Sequence, residues 1–169
     1  MSHSKIERFN QRILKDVILR LYKLLLEDNE ENPKIYNISD DGVFSSIENV
    51  LDIMGFGTSE YEDIDFVFAL YIKNHHLIKD GKIEGDIEIP QISEYTFKID
   101  VNETIYQTTT YRHRLFSYSE SNVIPIAQRA EYDGNFSVYD GNPTDTHVHD
   151  SETNDITWNN NTVNKLKSK

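Results

Sequence analysis

The sequence predicts an α+β fold, in which about three N-terminal helices precede an antiparallel β-meander and an extended polar C-terminal arm. Apolar residues recur every three or four positions up to about residue 76, and from about residue 82 they alternate with polar residues. Beyond residue 150 the composition shifts to Asn, Thr, Ser, Asp and Lys. These changes predict an N-terminal amphipathic helix with an acidic linker (1–32), an α+β body (33–150) and a polar arm (151–169).

The first helix is expected over residues 4–26. Ser4 and Glu7 have the spacing of a capping box. Two adjacent apolar stripes follow, which is more than a helix facing a single core needs, so this helix should be covered on more than one side. The second stripe is the predicted contact surface for a partner and consists of Leu14, Ile18, Tyr22 and Leu25.

Two further helices are expected before the strands. The second should span residues 43–54, with Asp40 or Asp41 as its cap and Gly55 in the left-handed position beyond its end. The third should begin near Ser59, again with a capping box, and continue through IDFVFALYI. A buried strand is the alternative for that apolar stretch, because Phe, Val, Tyr and Ile also favour strands.

Four segments are predicted as strands: KIEGDIEIP, EYTFKIDV, TIYQTTTYRHRLFSY and VIPIAQRAEY. The dipeptide at 102–103 (NE) is expected to form the hairpin turn between the second and the third. The first segment places Glu84, Asp86 and Glu88 on one face and ends at Pro90. We interpret it as a solvated edge strand rather than a calcium site, because charges and proline protect sheet edges.

The segment EYDGNFSVYDGNPTDTHVHD, residues 131–150, contains Tyr-Asp-Gly-Asn twice. Asp-Gly favours turns, so the repeat predicts strand, turn, strand, turn, strand, with NFSVY as the middle strand. His147 and His149 would share one face of the last strand with Asp145, which makes these three weak candidates for metal ligands. Exposed histidines on an edge strand give the same pattern, and we favour that interpretation.

A basic and aromatic cluster, TYRHRLFSY, is the other candidate for a site. On a strand, Arg112, Arg114, Phe116 and Tyr118 would share one face. Arginine and aromatic residues are enriched at protein interfaces, so a protein interface is favoured over plain surface and over single-stranded nucleic acid.

The C-terminal arm offers few apolar residues, and its predicted anchors are Trp158 and Leu166. A polar segment of this kind cannot offset its own ordering entropy. It should therefore pack either on its own domain or on a neighbouring chain, and the sequence leaves both alternatives open.

The composition excludes several functional classes. The chain has no cysteine, so thiol catalysis and cysteine-bound zinc are excluded. Its net charge of −12 repels phosphate groups and disfavours nucleic acid as a partner. No apolar stretch is long enough for a membrane span, and no signal peptide is recognisable, so we expect a cytoplasmic or virion protein that is not secreted through a signal peptide. Glycine-rich nucleotide loops, GxSxG and HExxH are missing, so neither an enzyme nor a cofactor is expected.

These observations favour a non-catalytic assembly or interaction protein that has protein partners in a larger assembly or forms a homo-oligomer. The chain is rich in Asn, Asp, Ile, Lys and Tyr, a bias given by genomes of low GC content, including those of many phages. This extends the expectation to a phage virion component. The first alternative is a metal-binding module or metal-dependent enzyme that uses His147 and His149. The second is an acidic inhibitor of a nucleic-acid-binding enzyme, which imitates nucleic acid through its charge.

Overall fold

A computed structural model of the chain describes residues 4–28, 37–57, 60–104, 106–148 and 156–166. The chain divides into two compact units, Met1–Ile92 (the N-terminal unit) and Ser93–Lys169 (the C-terminal unit). Helices come first and antiparallel strands follow, so the predicted α+β class is confirmed. Both predicted boundaries of the three-part division, at residues 32 and 150, lie outside the described residues, and that division stays a prediction.

The predicted first helix is interrupted at Asn10. Ser4 caps a 3-10 helix, Lys5–Arg8, by accepting a hydrogen bond from the N–H of Ile6 at 3.2 Å. The α-helix α1 then spans Gln11–Asp28. The Oδ1 of Asn10 accepts the N–H of Ile13 at 3.0 Å, as an N-cap does, so the side chain of Asn10 starts a new helix where a continuous one was expected.

Helix α2 spans Asp41–Ile53, and its cap is confirmed as Asp40, whose Oδ1 accepts the N–H of Gly42 at 2.9 Å. Gly55 has a φ of +77°, as predicted for the position beyond the helix end. Helix α3 spans Tyr61–Asn74. Glu60 is its N-cap, whereas Ser59, the predicted cap, lies outside the described residues. Residues 63–71 are buried, so the interpretation of IDFVFALYI as a core helix is confirmed.

The apolar stripe of α1 that we predicted as a contact surface is mostly core. Helix α1 contacts both α2 and α3. Leu14 and Ile18 are each 1 % exposed and Leu25 is 3 % exposed, while Tyr22 is half-buried. Leu14, Ile18 and Leu25 are therefore already covered within the protein and are not accessible to a partner. None of the described helices is both long enough and apolar enough to cross a membrane.

The segment after α3 forms only a short hairpin, of β1 (Ile78–Lys79) and β2 (Lys82–Ile83). The longer strand predicted over KIEGDIEIP is wrong, since the chain beyond Ile83 pairs with side chains instead. The side-chain amide of Asn74 accepts a hydrogen bond from the N–H of Glu88 and donates one to its carbonyl, both at 2.8 Å. The side-chain amide of Gln11 likewise accepts from the N–H of Ile87 at 2.9 Å and donates to its carbonyl at 3.3 Å. Glu84, Asp86 and Glu88 remain exposed, but they are not on a strand.

The C-terminal unit contains a four-stranded antiparallel sheet in the order β5-β4-β3-β6. Its strands are β3 (Ser93–Thr104), β4 (Gln107–Ser117), β5 (Asn142–Val148) and β6 (Ile156–Lys165). The turn predicted at residues 102–103 is wrong, because β3 continues through a β-bulge to Thr104 before the chain reverses.

Two predicted strands of this unit are helical. VIPIAQRAEY forms helix α4, Val123–Tyr132. Pro125 is tolerated in its first turn, and the buried residues Val123, Ala127 and Ala130 lie three or four positions apart, although all of 123–127 is buried. In NFSVY a 3-10 helix, Val138–Asp140, replaces the predicted strand. The strand predicted after the second Asp-Gly is confirmed as β5.

The described part of the C-terminal arm belongs to this sheet. Strand β6 pairs with β3, Val163 is buried, and the ring of Trp158 lies 6.0 Å from that of Phe136. The N–H of Leu166 donates to the carbonyl of Glu94 at 2.9 Å. Of the two alternatives, packing on its own domain is thus the one that the described residues adopt.

Candidate binding face of the C-terminal sheet

The two faces of the C-terminal sheet differ in chemistry. One face is buried and carries the core of the unit, Tyr95, Phe97, Ile99 and Val101 of β3, against which α4 packs through Val123, Ile124 and Ala127. The opposite face, which we call the outer face, is polar and largely accessible. It is formed by Glu94, Thr96, Lys98, Asp100 and Asn102 of β3, Thr108, Thr110, Arg112, Arg114 and Phe116 of β4, Asp145 and His147 of β5, and Asn159 of β6.

The predicted basic and aromatic cluster lies on this outer face, with one exception. Arg112 and Arg114 are exposed and Phe116 is half-buried, all on the same side of β4. Tyr118 is only 6 % exposed. Strand β4 ends at Ser117, so the alternation on which the prediction for Tyr118 depended stops one residue earlier. Tyr118 is therefore a buried residue of this unit and not part of the face.

The charges on this face are arranged unevenly. Lys98 lies directly opposite Arg112 in the register of β3 and β4. Like charges at opposed positions destabilise a strand pair. Neither cation forms an ion pair with any residue in the described part of the chain. Arg114 does have a partner, Glu94 at 3.4 Å, but both side chains are accessible to water, so this pair contributes little.

A shallow cavity of about 290 Å³ lies beside Lys98. Its lining consists of hydroxyl, amide, carboxylate and ammonium groups: Lys98, Asp100, Thr110, Thr144, Asp145, Asn159 and Thr162. The hydroxyl of Thr110 donates to Asp100 at 2.5 Å, and the N–H of Lys98 donates to the hydroxyl of Thr162 at 2.8 Å. These groups can exchange hydrogen bonds with a polar ligand surface.

The predicted metal ligands lie partly on the same face. Asp145 and His147 are exposed neighbours on β5, with 3.8 Å between Oδ2 and Nδ1. His149 is outside the described residues. The described residues contain no cluster of three or more metal-ligating side chains. The hypothesis of a site built from all three residues stays a prediction.

Sequence reasoning placed His113 in the basic cluster, but the structure places it in the core. It is 6 % exposed, and the centroid of its ring lies 5.4 Å from that of Phe97 and 4.8 Å from that of Phe136. Its Nε2–H donates to the carbonyl of Val138 at 3.0 Å. Burial lowers the pKa of His113, while the Val138 carbonyl and the Asp140 carboxylate oppose that shift. The sequence does carry a signal for the buried position: side chains alternate along β4, and His113 lies between two arginines that point outward.

No protein-family model, curated protein or solved structure matches this chain.

Proposed function

We propose that this protein is a non-catalytic interaction protein whose outer face binds an acidic surface of a protein partner. The observation that supports this proposal is the opposed pair Lys98 and Arg112, which has no counter-ion among the described residues of a chain whose net charge is −12. Arg114 and Phe116 extend the same face along β4.

The chemistry of these side chains favours a protein partner. A guanidinium group can donate two parallel hydrogen bonds to one carboxylate, and arginine and aromatic residues are common at the centres of interfaces. A partner carboxylate placed between Lys98 and Arg112 would attract both cations and offset their mutual repulsion, which would favour binding. The threonine and asparagine side chains around the adjacent cavity would supply the polar rim.

Charge reversal on the outer face tests this proposal. The full chain would be immobilised on a resin and incubated with a lysate of the cells in which it is naturally made. Three forms would be compared: wild type, the variant Lys98→Glu/Arg112→Glu, and a matched control, Lys79→Glu/Lys82→Glu. The control changes the charge equally at another opposed pair of exposed cations, on the hairpin of β1 and β2. Captured proteins would be quantified by mass spectrometry, and binding would be repeated with the purified partner.

We expect a protein that wild type and control capture and that the outer-face variant loses. Weaker binding of the purified partner in high salt would agree with the charge mechanism. Equal capture by all three forms, or capture of no specific protein by any of them, would overturn the proposal.

A further inference from the structure

Among the described residues, strand β5 forms an edge of the C-terminal sheet. It is the last strand on its side of the order β5-β4-β3-β6, and no other described strand pairs with its outer edge. All seven residues of Asn142–Val148 are exposed, and Val148 is 77 % exposed. An open edge presents unpaired N–H and C=O groups that can pair with another strand.

Symmetry restricts how a second copy could pair with this edge. Two β5 strands related by a two-fold axis would run antiparallel in one continuous sheet, and directly opposed residues would point to the same face. Because side chains alternate between faces, residues of opposite parity cannot face each other. The axis must therefore pass through a single residue position of each strand. Because the pairing of β5 with β4 is irregular at residue 144, we compare the axes in the regular part of the strand, at Asp145, Thr146 and His147.

These registers differ in charge. An axis at Asp145 places the two Asp145 carboxylates opposite each other, and an axis at His147 places the two imidazoles opposite each other. An axis at Thr146 places Asp145 of one copy opposite the partner's His147, twice. An imidazole N–H can donate to a carboxylate, whereas opposed carboxylates repel. Charge complementarity therefore selects the register centred on Thr146.

The arrangement within one chain fits this register. Asp145 and His147 of one copy are already 3.8 Å apart on the outer face. In the two-fold pair, each imidazole would lie between two carboxylates, one from each copy. Beyond Asp145 the pairing of β5 is irregular at residue 144, and Pro143, which has no N–H, would end the ladder. Asp145, His147 and Pro143 would thus have two effects. They discourage pairing of this edge with other strands, and they favour one register with a second copy.

We infer that the protein forms a two-fold homodimer in which the β5 strands pair about Thr146 and join two four-stranded sheets into one of eight strands. This inference goes beyond the proposed function, since it names a second copy of the chain as a further partner and uses a different surface. The dimer uses the sheet edge and leaves Lys98 and Arg112 on the outer face available.

Sedimentation velocity of the purified full chain tests this inference, with circular dichroism as a check on folding. Wild type should show a concentration-dependent dimer. His147→Asp, which places aspartates opposite aspartates, should raise the dimer dissociation constant by about tenfold or more. The exchange Asp145→His/His147→Asp restores opposed pairs of unlike chemistry and should recover most of the wild-type affinity. His76→Asp, an exposed change of the same type in the N-terminal unit, should have no effect.

A wild type that stays monomeric at all accessible concentrations would overturn the inference, as would a dimer that His147→Asp leaves unchanged. Hydrogen exchange gives a second measurement, because the amides of 144–148 should gain protection as the concentration rises. A monomer that still captures its acidic partner through Lys98 and Arg112 would overturn the dimer alone. Loss of that capture, with the dimer intact, would overturn the outer-face proposal alone.

Discussion

His113 couples the stability of the C-terminal unit to pH. Burial among Phe97 and Phe136 lowers its pKa in the folded protein below the ordinary histidine value of 6.5, which applies to the unfolded chain. At a pH below that value the unfolded chain binds the proton more readily than the folded one. The neutral His113 side chain thus makes its full contribution to the free energy of unfolding at neutral pH. That free energy should fall as the pH drops through 6.5 and below.

Urea unfolding at several pH values between about 7.5 and 5 measures this dependence. His113→Gln keeps an N–H donor that can reach the Val138 carbonyl but cannot take up a proton. The variant should be less stable than wild type at neutral pH, and its unfolding free energy should decline less toward pH 5. Parallel pH profiles for the two proteins would contradict the assignment.

Tyr71 carries a buried hydroxyl that finds no hydrogen-bond partner in the described part of the chain. The side chain is 2 % exposed, and burial, with a smaller effect from Tyr22, raises its pKa to about 12. Removing an unsatisfied polar group removes its desolvation penalty. Tyr71→Phe should therefore stabilise the protein by about 1 kcal/mol in chemical denaturation.

Tyr132→Phe is the control for this change, because Tyr132 is 84 % exposed. Removing its hydroxyl should change the free energy of unfolding by less than about 0.5 kcal/mol. A clear loss of stability in Tyr71→Phe would mean that the hydroxyl makes a favourable interaction.

The two copies of Tyr-Asp-Gly-Asn show where local sequence stops being informative. Gly134 has a φ of +82° after α4, so the turn expected at the first Asp-Gly is confirmed. Gly141 has a φ of −79°, and the reason for glycine there is space: a Cβ would lie 2.6 Å from the Nε2 of His113. Identical tetrapeptides thus have different roles, and the second role depends on a residue 28 positions away in the sequence.

Among the elements, the chain beyond β2 is held by two amide side chains that act in place of a neighbouring strand. Asn74 is fully buried and pairs with both backbone groups of Glu88, while Gln11 pairs with both of Ile87. Asn74→Ala should cost about 2–4 kcal/mol, because it leaves two backbone groups without partners. Gln11→Ala should cost less, since Gln11 is half-buried and water can replace its amide.

Residue-resolved hydrogen exchange separates the two clamps. Asn74→Ala should accelerate exchange of the Glu88 amide, and Gln11→Ala should accelerate that of Ile87. Each variant serves as the control for the other. Equal acceleration at both amides in either variant would show that the segment is released as a whole rather than held residue by residue.

Helices with local caps were predictable, whereas elements that depend on distant partners were not. Asp40 and Gly55 fix both ends of α2 from neighbouring residues alone. VIPIAQRAEY is ambiguous, because β-branched residues favour a strand and only packing on the sheet decides for α4. Strand β6 is polar by composition, and its pairing with β3 involves residues about 60 positions apart in the sequence.

The whole molecule has a net charge of −12, and folding concentrates this charge. Self-repulsion of the compact state should be reduced by salt, since the Debye length falls from about 10 Å at 0.1 M to about 3 Å at 1 M. Raising NaCl from about 0.02 to 0.5 M should therefore increase the melting temperature by a few degrees.

A triple variant, Asp52→Asn, Asp86→Asn and Glu131→Gln, removes three exposed charges and serves as the control. It should melt at a higher temperature than wild type in low salt and respond less to added NaCl. A melting temperature that falls as salt is added would show that favourable charge pairs dominate over net repulsion.

The order of strands in the C-terminal sheet also has a consequence during synthesis. The ribosome makes β3 first among the four and β6 last, yet these two strands are adjacent in the finished sheet. A nascent chain that ends before residue 156 thus carries β3 with one flank unfilled, and a strand from another polypeptide could occupy that flank. Ribosomes pausing between β5 and β6 would prolong this exposure, so the tempo of translation over that stretch should influence how much of the protein escapes aggregation.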